Sequence, residues 1–354
     1  MTHFDISPLL SSPTQLRLKA LIPQLKEIIG STQKIVVIGH RSPDGDALGS
    51  SLAWAEYLTQ QGKQVQILMP NAFPDYYKWL PGSDRIIFAD RQPVRTKAFL
   101  DNADLICLLD FNNLSRLQEL GDLVAKSPAR RLMVDHHLDP DSTAADLIIS
   151  EPQISSTCEL VCRLLIELNA FNQLTARGAT ALYCGMMTDT GSFTFNSNNP
   201  ELYLLIAALL QKGIDKDRIY RYIYHTFSVN RLQLQGYILN EKLRFYENNH
   251  ACLFSLTRED MKRFHFIRGD GEGIVNLPLQ VQGMKLSISL REETEHDIIR
   301  VSLRSVDDFP CNEMAEQFFN GGGHLNASGG QLPFPMEDAI KTAEQAILAF
   351  RHRL

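Results

Sequence analysis

Apolar and polar positions along the chain follow one rhythm up to about residue 150 and others beyond it. The short β-branched runs KIVVIGH, QVQILMP, RIIFAD, ADLICLLD, RRLMVDHH and ADLIIS alternate with helical patterns, the clearest running from Asp46 to about Gln61. Runs that are apolar throughout, rather than at every second position, predict strands buried on both faces. That means a parallel sheet covered by helices and linked by right-handed crossovers. From Ser155 apolar residues recur at spacings of three and four, predicting helices in SSTCELVCRLLIEL, LTARGATALYCGMM, PELYLLIAALLQKG and DKDRIYRYIYHTF.

Residues 228–242, SVNRLQLQGYILNEK, form a polar helical connector, and strands then resume in a different order. LRFYENNHACLFSL predicts a hairpin turning at Asn248-Asn249, KLSISLREE and IIRVSLRS alternate as half-buried strands around TEHD, and MEDAIKTAEQAILAF closes the chain as a helix. The expected architecture is α/β, with a doubly wound, mostly parallel sheet over residues 1–225, a connector over 226–245 and a smaller α/β domain over 246–354. A cleft between the domains is expected. With 354 residues the chain can bury two cores.

A net charge of −6 excludes the global basic field that long duplex nucleic acid selects, yet leaves room for a small anionic substrate at a local site. The longest apolar stretch, YLLIAALL, falls far short of the ~20 residues of a membrane span. The start MTHFDISPLLSSPTQLRLKA has no signal-peptide pattern, and LxxLIPQLKEII within the first 30 residues looks helical. Six cysteines, none in a CxxC pair, fit reduced core thiols of a cytoplasmic protein.

Four places put aspartate or histidine at a strand end or helix edge: His40/Asp44/Asp46, Asp110, Asp135-His136-His137 and Asp189. Any one of them has a bland reading as a helix cap or turn residue, and Asp46 alone could cap the helix that follows. Together they fit capping poorly, because only the first cluster leads directly into a clear helix. In a parallel sheet the carboxyl ends of the strands emerge on one rim, where distant residues can meet. Five carboxylates gathered without cations would cost several kcal/mol per buried charge, at the order of magnitude of such burials. Imidazole and carboxylate without thiolate favour octahedral Mn²⁺, with Mg²⁺, Fe²⁺ or Co²⁺ as substitutes, and the donor count suits two ions.

HRSPDGDALGS, LLD, VDHH and TDTG, in this order, resemble the four motifs of the DHH phosphoesterases, and FNGGGHLNASGG resembles the glycine-rich signature of the associated DHHA1 domain. The resemblance implies one metal on His40, Asp44 and Asp110 and a second on Asp46, Asp110, His136 and Asp189. It places His137 at the scissile phosphate and Asp135 in support, as the catalytic pair. The chain departs from the family in Phe111-Asn112-Asn113, where smaller residues are expected, which would bear on pocket shape. For substrate binding it favours Arg304 and the GGGH segment with Gly322, Gly323 and His324, with Arg268 a weaker candidate. Gly321 fits a helix C-cap. Phe73, Tyr76 and Tyr77 could stack on a base, though packing explains them as well.

Within that family, a two-domain chain of this length is similar to the oligoribonucleases that also remove the 3′-phosphate of pAp. The expectation is therefore a hydrolase that uses a hydroxide bridging two Mn²⁺ ions to degrade short RNA oligonucleotides to mononucleotides and to convert pAp to AMP. Its partners would be those substrates, with no membrane and no long duplex nucleic acid, and a homodimer is compatible with it. Three alternatives stand beside it: hydrolysis of linear dinucleotides from cyclic-dinucleotide signalling, short-chain exopolyphosphatase activity, and a nucleotide sensor without turnover.

Overall fold

The computed structural model describes residues 10–267 and 269–354, and the chain divides into two compact units that meet in sequence between Thr226 and Phe227. The signal-peptide reading falls partly, and Arg268 wholly, outside the described residues.

The first unit runs α1 (Pro13–Gly30), β1 (Lys34–Ile38), α2 (Gly45–Gln60), β2 (Gln64–Met69), β3 (Ile87–Phe88), α3 (Pro93–Asp101), β4 (Leu105–Leu109), α4 (Glu119–Lys126), β5 (Arg130–Asp135) and β6 (Leu147–Ser150). Four helices complete it: α5 (Thr157–Glu167), α6 (Ala176–Asp189), α7 (Pro200–Gln211) and α8 (Lys216–Tyr224). All strand pairs are parallel, in the order β3-β2-β1-β4-β5-β6. The apolar runs are continuous because successive residues serve opposite layers. In β1, Ile35 and Val37 enter a core with α1, α2 and α5 to α8, whereas Val36 and Ile38 enter a second core with α3 and α4. The order of winding reverses at β1, with β2 added on one side and β4 on the other, so a crevice opens between β1 and β4 at their carboxyl ends.

Helix α2 lies against α6 through glycines. A Cβ added at Gly49 would overlap the Ala181 carbonyl oxygen, and one at Gly45 the Thr188 hydroxyl. Space against a neighbouring helix, rather than closeness to the sheet, is thus what Gly49 provides. Gly49→Ala is expected to lower stability by about 1–3 kcal/mol, because the clash is with backbone that cannot rotate away. The measurement is a urea midpoint that falls with the slope unchanged.

The second unit runs α9 (Val229–Tyr237), β7 (Arg244–Tyr246), β8 (Ala251–Leu256), α10 (Arg258–Arg263), β9 (Leu286–Glu292), β10 (Ile298–Ser305), α11 (Cys311–Phe318), β11 (Gly322–His324), β12 (Ala327–Pro333) and α12 (Met336–Ala349). Its six-stranded sheet has the order β11-β12-β10-β9-β8-β7, with only β8 and β9 parallel. The hairpin at Asn248-Asn249 and the pair around TEHD form as expected. Ile299, Val301 and Leu303 of β10 pack with Ala343 and Ile347 of α12, while Arg300, Ser302 and Arg304 stay half-buried on the other face. The connector segment packs within this unit: Leu234 of α9 and the following Ile238 join Phe254 and Leu256 of β8 in one apolar cluster.

All six cysteines are buried and unpaired. No helix among the described residues is long and apolar enough to cross a membrane.

Candidate active site

The crevice at the ends of β1 and β4 gathers the acidic and histidine residues. His40 follows β1, and its Nδ1 donates to the Arg41 carbonyl at 2.8 Å, since a carbonyl can only accept. Nε2 is thereby the lone-pair nitrogen of the neutral ring and points at carboxylates, 3.7 Å from Asp44 Oδ2 and 3.5 Å from Asp110 Oδ2. Asp44, not Asp46, caps α2: its Oδ1 accepts from the N–H groups of Asp46 and Ala47 at 3.0 and 3.1 Å. One carboxylate therefore starts the helix with one oxygen and faces His40 with the other. Asp46, in the first turn, is released from capping and turns toward the cluster.

Asp110 directly follows β4 with φ at 68°, a left-handed conformation that asparagine and aspartate tolerate better than other side chains, and its N–H donates to the Val134 carbonyl. His136 follows β5 and brings Nε2 to 3.8 Å from Asp46 Oδ2, 3.7 Å from Asp110 Oδ1 and 3.5 Å from Asp189 Oδ2. Asp189 is the last residue of α6, so the helical pattern continues through it. Asp135 ends β5 fully buried and accepts from His137 Nδ1 at 2.7 Å. That bond fixes the tautomer and orientation of the His137 ring.

The electrostatics of these residues are unfavourable among themselves. Burial, reinforced by the charge of Asp189, pushes Asp46 up to about 7, and burial with the charge of Asp46 holds Asp110 well above the usual carboxylate range. Burial works against a charged His40, but Asp110 and Asp44 outweigh it and raise that ring to about 10. Burial lowers His137, which Asp135 only partly offsets.

A divalent cation fits this arrangement. The nitrogen-to-oxygen spacings of 3.5–3.8 Å are too wide for the charge-assisted hydrogen bonds, about 2.7–2.9 Å, that protonated histidines would make. Donors about 2.1 Å from one cation stand roughly 3–3.5 Å from each other, close to what is seen. Donor atoms of His40, Asp44 and Asp110 lie within 4.8 Å of one another, as do those of Asp46, His136 and Asp189. Asp135 Oδ2 is buried without a hydrogen-bond partner.

Sequence reasoning missed a contribution from α5. The N–H groups of Thr157 and Cys158 donate to Asp46 Oδ2 and Oδ1 at 2.7 and 2.8 Å, and the Thr157 hydroxyl donates to Asp110 Oδ1 at 3.0 Å. The only signal in the chain was the serine and glutamate of SSTCE, which mark a helix start but not its target.

In the second unit, Arg304 and His324 both register with Ala327, one from β10 and one from β11, so their side chains leave the same face of the sheet. Ser302, Gly329 and Gly322 align the same way. Packing explains two of the three glycines: a Cβ on Gly321 would overlap the Gly329 carbonyl, and Gly323 has φ of 144° and a close approach to Ala327. Gly322 has no such constraint, since an added Cβ would meet only the Glu316 side chain, at an ordinary contact distance of 3.8 Å. Asn320, with φ of 49°, takes the left-handed position after α11 that was expected of Gly321. Phe111 is fully buried in the α3/α4 core and so does not shape the crevice, while Phe73 and Tyr77 are core residues rather than an exposed base-stacking surface.

A doubly wound parallel sheet with imidazole and carboxylate donors converging at its switch point makes a candidate divalent-metal site, and comparison with known proteins supplies the class of enzyme. Residues 34–186 match the DHH family, N-terminal domain, and residues 264–350 match the DHHA1 domain, so the chain belongs to the DHH family and is a hydrolase acting on phosphate ester bonds. It is 25% identical over 320 residues to the bifunctional oligoribonuclease and PAP phosphatase NrnA of Bacillus subtilis, covering 87% of this chain and 92% of that one. It is 23% identical to the cyclic-di-AMP phosphodiesterase GdpP of Bacillus subtilis, but spans only 50% of that protein. The crystal structure of an exopolyphosphatase-related protein from Bacteroides fragilis superposes with a TM-score of 0.90 at 49% identity, covering 94% of this chain and 97% of that one.

Proposed function

We propose that this protein hydrolyses short RNA oligonucleotides to mononucleotides and removes the 3′-phosphate of pAp to give AMP, with two divalent cations, most simply Mn²⁺, as cofactors. The observation that carries this reading is the division of Asp110, whose Oδ2 faces His40 at 3.5 Å while its Oδ1 faces His136 at 3.7 Å. One carboxylate shared between two donor groups is what a dinuclear site needs. His40, Asp44 and Asp110 would hold one cation, and Asp46, Asp110, His136 and Asp189 the other. When bound, such cations lower the pKa of water toward about 7 and neutralise charge on the phosphoryl oxygens.

The chain's own groups orient the reaction. Asp135 fixes the His137 ring through Nδ1 and leaves Nε2 to meet the phosphate; burial lowers the ring's pKa, and an anionic phosphate beside Nε2 would favour the protonated form that can donate to it. Arg304 and His324, on one sheet face with Gly322 and Gly323 beside them, would bind the substrate's other phosphate or terminal nucleotide, and Arg268 would assist. Gly322 and Gly323 carry no Cβ to hold a ligand away from backbone N–H groups. Similarity to the bifunctional NrnA enzymes over most of both chains supports this substrate class.

A second reading, phosphoanhydride cleavage in short polyphosphate, is favoured by the likeness to the exopolyphosphatase-related structure. Product analysis with Mn²⁺ over pAp, dinucleotides, longer RNA, linear dinucleotides from cyclic signals and short polyphosphate separates the possibilities. Mononucleotides from dinucleotides and AMP from pAp are expected. Turnover confined to polyphosphate or to signalling dinucleotides would replace the proposal.

A further inference from the structure

We infer that Thr157 is a positioning residue whose hydroxyl sets the rotation of the Asp110 carboxylate and so apportions its two oxygens between the two halves of the site. Its hydroxyl donates to Asp110 Oδ1, the oxygen on the His136 side, at 3.0 Å, while Oδ2 on the His40 side takes no such bond. Without that donor, a carboxylate between two acidic groups would rotate to minimise repulsion. The same residue's N–H holds Asp46 Oδ2 at 2.7 Å, so one turn of α5 fixes two carboxylates reached from β4 and α2.

That turn is itself braced. Ser156 caps α5, accepting from the Glu159 N–H at 3.0 Å, and Glu159 Oε2 accepts from the Ser155 N–H and hydroxyl at 2.9 and 2.7 Å. Glu159 Oε1 is held by Arg163 at 2.9 Å. Thr157 is fully buried, and its hydroxyl reaches across to Asp110 rather than to its own helix. Supporting hydrogen bonds of this kind are generally worth about 10–100-fold in metal affinity.

The inference rests on the dinuclear reading above, and its test separates the two. Mn²⁺ binding to the full chain is titrated by the electron paramagnetic resonance signal of free Mn²⁺, alongside the melting temperature and the kcat and KM for a dinucleotide. The parent protein should take up two Mn²⁺ per chain. Thr157→Val, which keeps the shape and removes the hydroxyl, should weaken one of the two by about 10–100-fold and lower kcat more than it raises KM. Thr157→Ser should restore both. If the valine variant fails to fold, Thr157→Ala is expected to show the same selective loss. A valine or alanine variant that binds two Mn²⁺ with parental affinities, or a serine variant as impaired as valine, overturns the role of the hydroxyl. A parent protein that binds fewer than two overturns the dinuclear reading, and this inference with it.

Discussion

Asp110→Asn is expected to cut phosphoester hydrolysis by at least about a thousandfold, or ~4 kcal/mol of transition-state stabilisation, without unfolding the protein. Asparagine accepts the left-handed backbone at φ 68°, keeps an oxygen for the Thr157 hydroxyl and fills nearly the same volume. Alanine would add strain and a cavity, confusing loss of a ligand with loss of structure. The metal-free variant should melt no lower than the metal-free parent. Asp110 has a raised folded-state pKa, so its ionisation costs stability as pH rises from the unfolded carboxylate value toward the folded one, and the amide removes that cost. Mn²⁺ at about 100 times its dissociation constant should stabilise the parent by about 2.7 kcal/mol for each site so filled, and most of that shift should vanish in the variant. Parental turnover in the variant would remove the basis for a shared carboxylate.

Arg163→Leu is expected to destabilise the first unit by about 3–5 kcal/mol, a drop of roughly 10 °C or more in melting temperature. Arg163 is completely buried, paired with Glu159 at 2.7 Å and Glu201 at 2.6 Å, and its Nη1 also donates to Gln15. Glu201 in turn accepts from the Ser12 N–H and hydroxyl, tying α1 to α5 and α7. Leucine fills much of the space but leaves carboxylates without their cation. The pH dependence identifies the cause. Burial alone would raise Glu201, yet Arg163 and Ser12 hold it below its usual value, so the parent loses that stability as pH falls through the folded pKa. Without Arg163, burial prevails and Glu201 rises, so mild acid should narrow the gap between variant and parent. A gap that widens in acid, measured by denaturant titration at two pH values, would count against the charge argument.

Much of the site was legible because its parts are local. Strand-ending motifs place His40, Asp110, Asp135 and His136 on one rim once the strands are parallel, and uniform apolar runs say that they are. The helix cap was not legible: HRSPDGDALGS contains two aspartates that could begin α2, and only the backbone shows that Asp44 does so while Asp46 turns to the cluster. Phe111 resembled a pocket residue until the left-handed turn at Asp110 placed it in the core beneath. The GGGH segment showed its glycines but not their separate reasons, since Gly321 and Gly323 answer to strand packing while a side chain at Gly322 would meet only Glu316 at ordinary contact distance.

By itself the sequence determined the order of elements, the two sheets and which residues are candidate donors, because periodicity and composition are properties of neighbouring positions. Tertiary structure alone decided how those donors are shared. The opposite faces of Asp110, the approach of α6 to α2 through Gly45 and Gly49, and the aim of the first turn of α5 at Asp46 and Asp110 all join residues tens of positions apart. Such contacts follow from how helices pack over a sheet, and no local pattern encodes the rotation of a carboxylate.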